Sequence, residues 1–205
     1  MPALKFKEYS LEIPKEVYLP SDDTDLMINT LEKEIISKKL FFNTALELGS
    51  GNGYLSLYVY NNVNEIISVD LNPIVVEYLK KVKEKYQLDK QKILSSDLFS
   101  ALDKNKKYDL IIFNPPYVPS EPLNLEKGID LAVNGGKDGL EVISRFLKEF
   151  DLFLLKTGVC YLLVSSLNKI NKIKKKISEK KMSCEIIASK KLFFEELFVL
   201  KIYFS

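Results

Sequence analysis

Three glycines spaced two residues apart at the exit of an apolar run leave a chain few folds to choose from. Glu47-Leu48-Gly49-Ser50-Gly51-Asn52-Gly53 follows Leu40-Phe41-Phe42-Asn43-Thr44-Ala45-Leu46, which reads as a buried strand. It precedes Tyr54-Leu55-Ser56-Leu57-Tyr58-Val59, which can open a helix. Glycine accepts the tight backbone of a strand-to-helix turn and lets a ligand approach the chain closely. A nucleotide pyrophosphate would use such a turn, so the glycines alone do not choose the ligand. Glu47 points away from phosphate, because like charges repel, and toward a cationic group such as the amino-acid end of a ligand.

The same logic recurs downstream. Glu65-Ile66-Ile67-Ser68-Val69-Asp70 is a second apolar run closed by an acid, 17 residues beyond Gly53. That is near the spacing at which a carboxylate grips ribose hydroxyls. Lys92-Ile93-Leu94-Ser95-Ser96 is a third run and leads into Asp97-Leu98, an acceptor and an apolar surface suited to an adenine ring. Tyr108-Asp109-Leu110-Ile111-Ile112-Phe113 is a fourth, and it opens onto Asn114-Pro115-Pro116-Tyr117. The prolines fix their own backbone, hold the preceding residue extended and donate no hydrogen bonds, so carbonyls here are left to accept. With the Asn114 amide and the flat Tyr117 ring they form a rigid cradle for a planar group bearing NH2, a carboxamide or a base amine. Each of these four strands thus ends in polar residues at one carboxyl edge, the edge where open α/β sheets bind ligands.

Amphipathic helices fall between the runs. The pattern predicts helices over Asp23–Lys38, capped by one of Ser21 to Thr24, and over Pro73–Tyr86, Leu140–Leu154 and Lys169–Lys181. Further strands are expected at Val159–Ser165, Cys184–Ser189 and Leu197–Phe204, the last two as an antiparallel hairpin. Alternating strands and helices give a mostly parallel sheet covered on both faces, with right-handed crossovers. Residues 118–138, rich in Pro and Gly, form a long loop beside the cradle, and loops of that length in a compact domain are more often functional than idle.

Composition narrows the chemistry. One domain is expected for 205 residues, with 46% hydrophobic and 28% charged residues. The chain has no histidine, which excludes imidazole catalysis and His-ligated metal, and Cys160 and Cys184 lack zinc-site spacing. Net charge is +2, which provides no strong pull toward nucleic acid. Arg145 is the one arginine among 30 basic residues. The lysine-rich stretch 169–181 carries Ile170, Ile173 and Ile177 on one face and reads as a solvated helix. No signal-peptide pattern and no membrane-length apolar run is present, so a cytosolic or nuclear location is expected.

Taken together, these motifs resemble class I S-adenosylmethionine-dependent methyltransferases, and within them the HemK-type protein glutamine methyltransferases of the short eukaryotic and archaeal branch. The resemblance covers nearly the whole chain. Val17-Tyr18-Leu19-Pro20-Ser21-Asp22-Asp23-Thr24-Asp25-Leu26 is similar to that branch's opening motif, and Gly128 to Val142 to its glycine-rich loop. Val133 stands where relatives often carry an aromatic, and Leu140 where they often carry arginine. The resemblance implies one Rossmann-like domain over 1–205, with residues 1–40 placing a first helix over the cofactor, 118–138 as substrate-side loop, and a seven-stranded sheet. It implies S-adenosylmethionine held by Thr24, Glu47, Gly49, Gly51, Asp70, Asp97, Leu98 and Asn114, with S-adenosylhomocysteine as product and no metal. Asn114, Pro115, Pro116 and Tyr117 would hold the substrate, with Asn114, Pro115 and Tyr117 catalytic. The implied acceptor is the glutamine of the Gly-Gly-Gln motif in a class I release factor. A small zinc-binding activator would pair with the edge of the third strand and form a heterodimer. The same four cradle residues also serve enzymes that methylate an exocyclic amine of adenine or guanine in DNA or RNA, which usually carry a target-recognition domain or a basic face. A protein lysine is a third acceptor, and a catalytically silent adaptor is a different class of reading. The complete set Glu47, Asp70, Asp97 and Asn114 argues against the adaptor.

Overall fold

In the computed structural model residues 4–119 and 127–205 are described. A short hairpin comes first, β1 (Leu4–Phe6) with β2 (Tyr9–Leu11), paired antiparallel through a turn that holds Lys7 at positive φ. Then follow α1 (Asp22–Leu31), β3 (Phe42–Leu48), α2 (Tyr54–Val59), β4 (Val63–Asp70), α3 (Pro73–Tyr86), β5 (Gln91–Ser95) and β6 (Tyr108–Phe113). After the site loop come α4 (Lys127–Val133), α5 (Glu141–Phe153), β7 (Leu154–Ser165), α6 (Ile170–Glu179), β8 (Met182–Lys191) and β9 (Glu196–Phe204).

The main sheet has seven strands in the order β5-β4-β3-β6-β7-β9-β8. β9 runs antiparallel to both β7 and β8, and the other pairings are parallel. The expected mostly parallel sheet with a C-terminal antiparallel hairpin is therefore what forms. Strand alternation sorts side chains to the two faces. Leu110 and Ile112 of β6, with Tyr161 and Leu163 of β7, join Met27, Leu31 and Leu55 from α1 and α2 on one face. Ile111 and Phe113, with Cys160 and Leu162, join Phe146 and Phe150 of α5 and Ile173 and Ile177 of α6 on the other. The lysines of α6 point outward from that seam, the solvated face its pattern predicts.

Several local expectations need correction. The first helix leaves α geometry at Leu31 and continues as one π-helical turn, Glu32–Ile36, so the 3.6-residue pattern ends early. Ser21 occupies the helix N-cap without a capping side-chain bond; the carboxylate of Asp23 instead takes the Thr24 N–H at 2.6 Å. β7 begins at Leu154, five residues before the expected strand, and shifts register against β6 between Tyr108 and Leu110. The β1–β2 hairpin has no counterpart in the sequence reading. Tyr9 and Leu11, with Ile13 and Val17 beyond them, pack against Tyr54, Leu57, Val75, Tyr78 and Leu79 as a third core. Leu140, taken as a substrate-loop position, is buried in the main core at the start of α5. Residues 120–126, in the first half of the expected 118–138 loop, lie outside the described residues, as do residues 1–3, and 127–133 of that loop form the helix α4 instead.

Candidate functional site

Pairing register brings the four strand ends level. Leu48 pairs with Val69 on one side and Phe113 on the other, and Asp70 pairs with Ser95. The chain runs β3, β4, β5 to one side and returns to β6 on the other, so strand order reverses between β3 and β6. Gly49 and Asn114 stand at that switch point, where crevices form in open α/β sheets. A cleft of about 360 Å³ opens there, and every residue expected at the site except Tyr117 lines it.

The glycine turn is built from backbone that other residues would strain. Gly49, Gly51 and Gly53 all have positive φ, at 60°, 49° and 79°. A Cβ on Gly53 would meet Leu79 Cδ2 at 2.6 Å, so the leucine would have to give way, and φ 79° strains any other residue there. The donors that a phosphate would need are already spent. Gly51 N–H donates to Asp70 Oδ2 at 2.9 Å, Tyr54 N–H to Asn52 Oδ1 at 3.1 Å, and Ser50 and Gly53 N–H to backbone carbonyls. With those donors taken, this turn is unsuited to a pyrophosphate, and the Glu47 and Asp70 carboxyl groups beside it can hydrogen-bond an adenosyl ligand.

Glu47 is 1% exposed and accepts from the Ser56 hydroxyl, which in turn meets Ser68 Oγ at 2.7 Å. Burial pushes its carboxyl up to about 8, against the opposing pull of Ser56. Burial also raises the Asp70 carboxyl, countered by the N–H groups of Gly51, Asn72 and Leu71. Neither serine was singled out in the sequence, because Ser56 and Ser68 sit in ordinary helix and strand patterns. At the far wall Asp97 meets Arg145 Nη2 at 2.6 Å, both side chains nearly half exposed. Leu98 takes a left-handed turn, φ 50°, and packs against the main core. The lone arginine of the chain thus stands against Asp97, a juxtaposition across 48 residues that no local pattern announces.

The opening segment folds over this cleft. Asn52 Nδ2 donates to the Tyr18 carbonyl at 3.1 Å, and Thr24 lies buried at the rim. Asp23, only 5% exposed, accepts from Asn114 Nδ2 at 3.1 Å. An ionised carboxylate can only accept, so this contact fixes which way the Asn114 amide faces. Its Oδ1 is left shielded from solvent and, among the described residues, without a hydrogen-bond partner. Pro115 is buried and Pro116 partly so.

Tyr117 is placed differently from the flat cradle wall expected of it and does not line the cleft. Its side chain packs against the cores on both faces of the sheet, and burial raises its phenol strongly. Its carbonyl accepts from Asn168 Nδ2 at 2.8 Å, and the same amide donates to the Gly139 carbonyl at 3.0 Å. Beyond it, Val118 N–H donates to Val133 O and Gly135 N–H to Val118 O, so α4 and the glycine-rich loop are laced to the exit of the cradle. Asn168 and Asp23 are the two supports that sequence reasoning missed. Asp23 was visible inside the acidic stretch before α1; Asn168 carried no signal.

The methyltransferase small domain family matches residues 21–130. A Methanocaldococcus jannaschii protein, provisionally named a protein N5-glutamine methyltransferase, is 34% identical over 96% of each chain. Human methyltransferase HEMK2 is 28% identical over 91% of this chain and 89% of its own. Among solved structures, the E. cuniculi Mtq2–Trm112 complex, described as responsible for methylation of the eRF1 termination factor, superposes with a TM-score of 0.69. It is 24% identical, covers 93% of this chain and 99% of that one, and supports the fold.

Proposed function

The chain belongs to the methyltransferase small domain family, and from that premise we propose that it methylates the side-chain amide nitrogen of the glutamine in the Gly-Gly-Gln motif of a class I translation termination factor. One observation carries the reading: the Asn114 Oδ1 acceptor, turned by Asp23 and left without a partner, in the wall of an adenosyl-type cleft. A buried acceptor without a donor is costly, and a planar NH2 group supplies the donor. The names of the relatives point the same way.

S-adenosylmethionine, when bound, supplies an activated methyl group on a sulfonium sulfur. The residues here hold, orient and polarise. Glu47 and the glycine turn receive the amino-acid end, Asp70 the ribose hydroxyls, and Asp97 with Leu98 the adenine. Thr24 closes the cleft from α1. An amide nitrogen is a poor nucleophile because its lone pair is shared with the carbonyl. Donation of both its N–H bonds, to Asn114 Oδ1 and to the Pro115 carbonyl, would turn that lone pair toward the methyl carbon. The same two acceptors stabilise positive charge as it develops on nitrogen. This nitrogen would take the cofactor's methyl, leaving S-adenosylhomocysteine, and the amide proton would pass to water afterwards. Pro116 and Tyr117 set the height of the cradle, Tyr117 from behind it. Asn114→Ala therefore abolishes transfer while cofactor affinity changes only modestly; retained turnover would sink this mechanism.

A small zinc-binding subunit at the β5 edge completes the proposal. β5 is a terminal strand of the sheet, and open strand edges invite pairing. Lys92 on that strand is ion-paired with Glu65. A radiolabelled-methyl assay tests the substrate, offering a termination factor, its Gln→Ala loop variant and adenine-containing DNA side by side. Label on the intact factor alone supports glutamine methylation; label on DNA means the cradle reads a base amine.

A further inference from the structure

The turn that joins β8 to β9 carries the most exposed aromatic surface of the described chain. Phe193 and Phe194 are 91% and 87% exposed, and their rings meet edge to face with centroids 4.6 Å apart. The next most exposed large apolar side chain, Leu152, reaches 59%. Two bare phenyl rings side by side at a fixed tip mark a contact surface, since burying them is worth far more than leaving them wet.

The tip is fixed, and its ties lead to the site. Leu192 N–H donates to the Glu195 carbonyl at 2.8 Å and closes the turn. The Glu195 carboxylate accepts from the Ser165 hydroxyl, and Glu196 N–H donates to Ser166 Oγ at 3.0 Å. Ser165 ends β7 at the carboxyl edge of the sheet, and Asn168, three residues on, holds the Tyr117 carbonyl. On the other side Lys190 pairs with Asp22 at 2.7 Å, next to the Asp23 that orients Asn114. The phenyl pair therefore rises from the same rim as the cradle, outside the cleft itself.

We propose that Phe193 and Phe194 are a docking post for the protein that carries the acceptor amide, an inference that rests on the substrate reading above. Position argues for this occupant. A glutamine amide lies about 5 Å from its own Cα, so the acceptor's backbone must pass just above Asn114 and its flanks must rest on the surrounding rim. The phenyl pair supplies an apolar part of that rim, beside Glu195, whose carboxylate acts on Tyr117. The β5 edge, proposed for the small subunit, lies at the opposite end of the sheet, roughly 25 Å away at ~4.8 Å per strand.

The test compares the full chain, purified with its small subunit where the two associate, with the double variant Phe193→Ser/Phe194→Ser and with Phe193→Tyr/Phe194→Tyr. Steady-state methylation of an intact class I termination factor and S-adenosylhomocysteine affinity are both measured. The serine variant is expected to raise KM for the factor about tenfold to thirtyfold. Its kcat, cofactor affinity and melting temperature stay within experimental error, and the tyrosine variant recovers most of the loss. An unchanged KM overturns the docking post while leaving the substrate reading intact. So does a serine variant whose only defect is loss of the small subunit or of self-association. Failure of the unmodified protein to label any termination factor overturns the substrate reading, and this inference with it.

Discussion

Asp23→Ala removes no residue expected to touch a substrate, yet it should disable transfer. The Asp23 carboxylate is buried and takes the Asn114 Nδ2 hydrogen at 3.1 Å. Without it the Asn114 amide is free to turn over and present NH2 where the acceptor needs an oxygen. A hydrogen bond to a charged group is worth about 1.5–3 kcal/mol, which, lost from the transition state, lowers kcat by about tenfold to about 150-fold. Asp23→Asn keeps an acceptor in the same place and should fall between the two. Asp23 also bonds the Thr24 N–H in the first turn of α1, so the alanine variant is expected to lose about 1 kcal/mol of stability. Single-turnover methyl transfer at saturating cofactor and acceptor measures the first effect, thermal melting the second, and calorimetric titration of S-adenosylhomocysteine checks that the cofactor site survives. A folded Asp23→Ala protein within threefold of the unmodified rate would refute the orienting role. An asparagine variant worse than the alanine one would also refute it.

Other expectations follow from neighbouring contacts. Arg145→Ala releases one oxygen of Asp97 from its 2.6 Å pair, and because both groups are nearly half exposed the effect is modest. S-adenosylhomocysteine affinity should fall about twofold to fivefold, with a smaller change for the inosine analogue, whose ring lacks the amine. Glu47, pushed up to about 8 from 4.5, holds its proton in the folded state through a range where the unfolded chain has lost it. Its contribution to stability is thus greatest at low pH and is lost as pH rises toward 8, by about 1.4 kcal/mol per pH unit. Glu47→Gln should therefore gain in melting temperature over the unmodified protein between pH 6 and 8, and a pH-independent difference would contradict the burial argument. Gly139→Ala places a Cβ against the Tyr117 carbonyl and 2.7 Å from Asn168 Nδ2, at φ 67°. It should cost about 1–3 kcal/mol in denaturant unfolding and weaken activity more than cofactor binding.

Much of the fold was legible because it is local. The apolar run Tyr108–Phe113 marked β6, and the amphipathic segment after the second strand marked α3 at Pro73–Tyr86; both fall on the predicted residues. Asn72 caps α3 through the Ile74 N–H, as its type at that position implies. The β1–β2 hairpin escaped notice because strands of three residues carry too little pattern to separate from loop. The π turn after α1 escaped because apolar residues at 31, 35 and 36 satisfy either helical period.

The candidate site divides along the same line. By itself the sequence determined the strand-to-helix glycine turn, the acids at three strand ends and the proline-locked cradle, since each is a property of a few adjacent residues with fixed backbone preferences. Only the tertiary structure decided what those residues face. Asp23 and Asn114 are 91 positions apart, Arg145 and Asp97 48, Asn168 and Tyr117 51. Such pairs arise from strand order and helix placement, and nothing in either partner's neighbourhood encodes the other. The orientation of the Asn114 oxygen, on which the chemistry turns, is therefore a consequence of the fold and not of the motif that contains it.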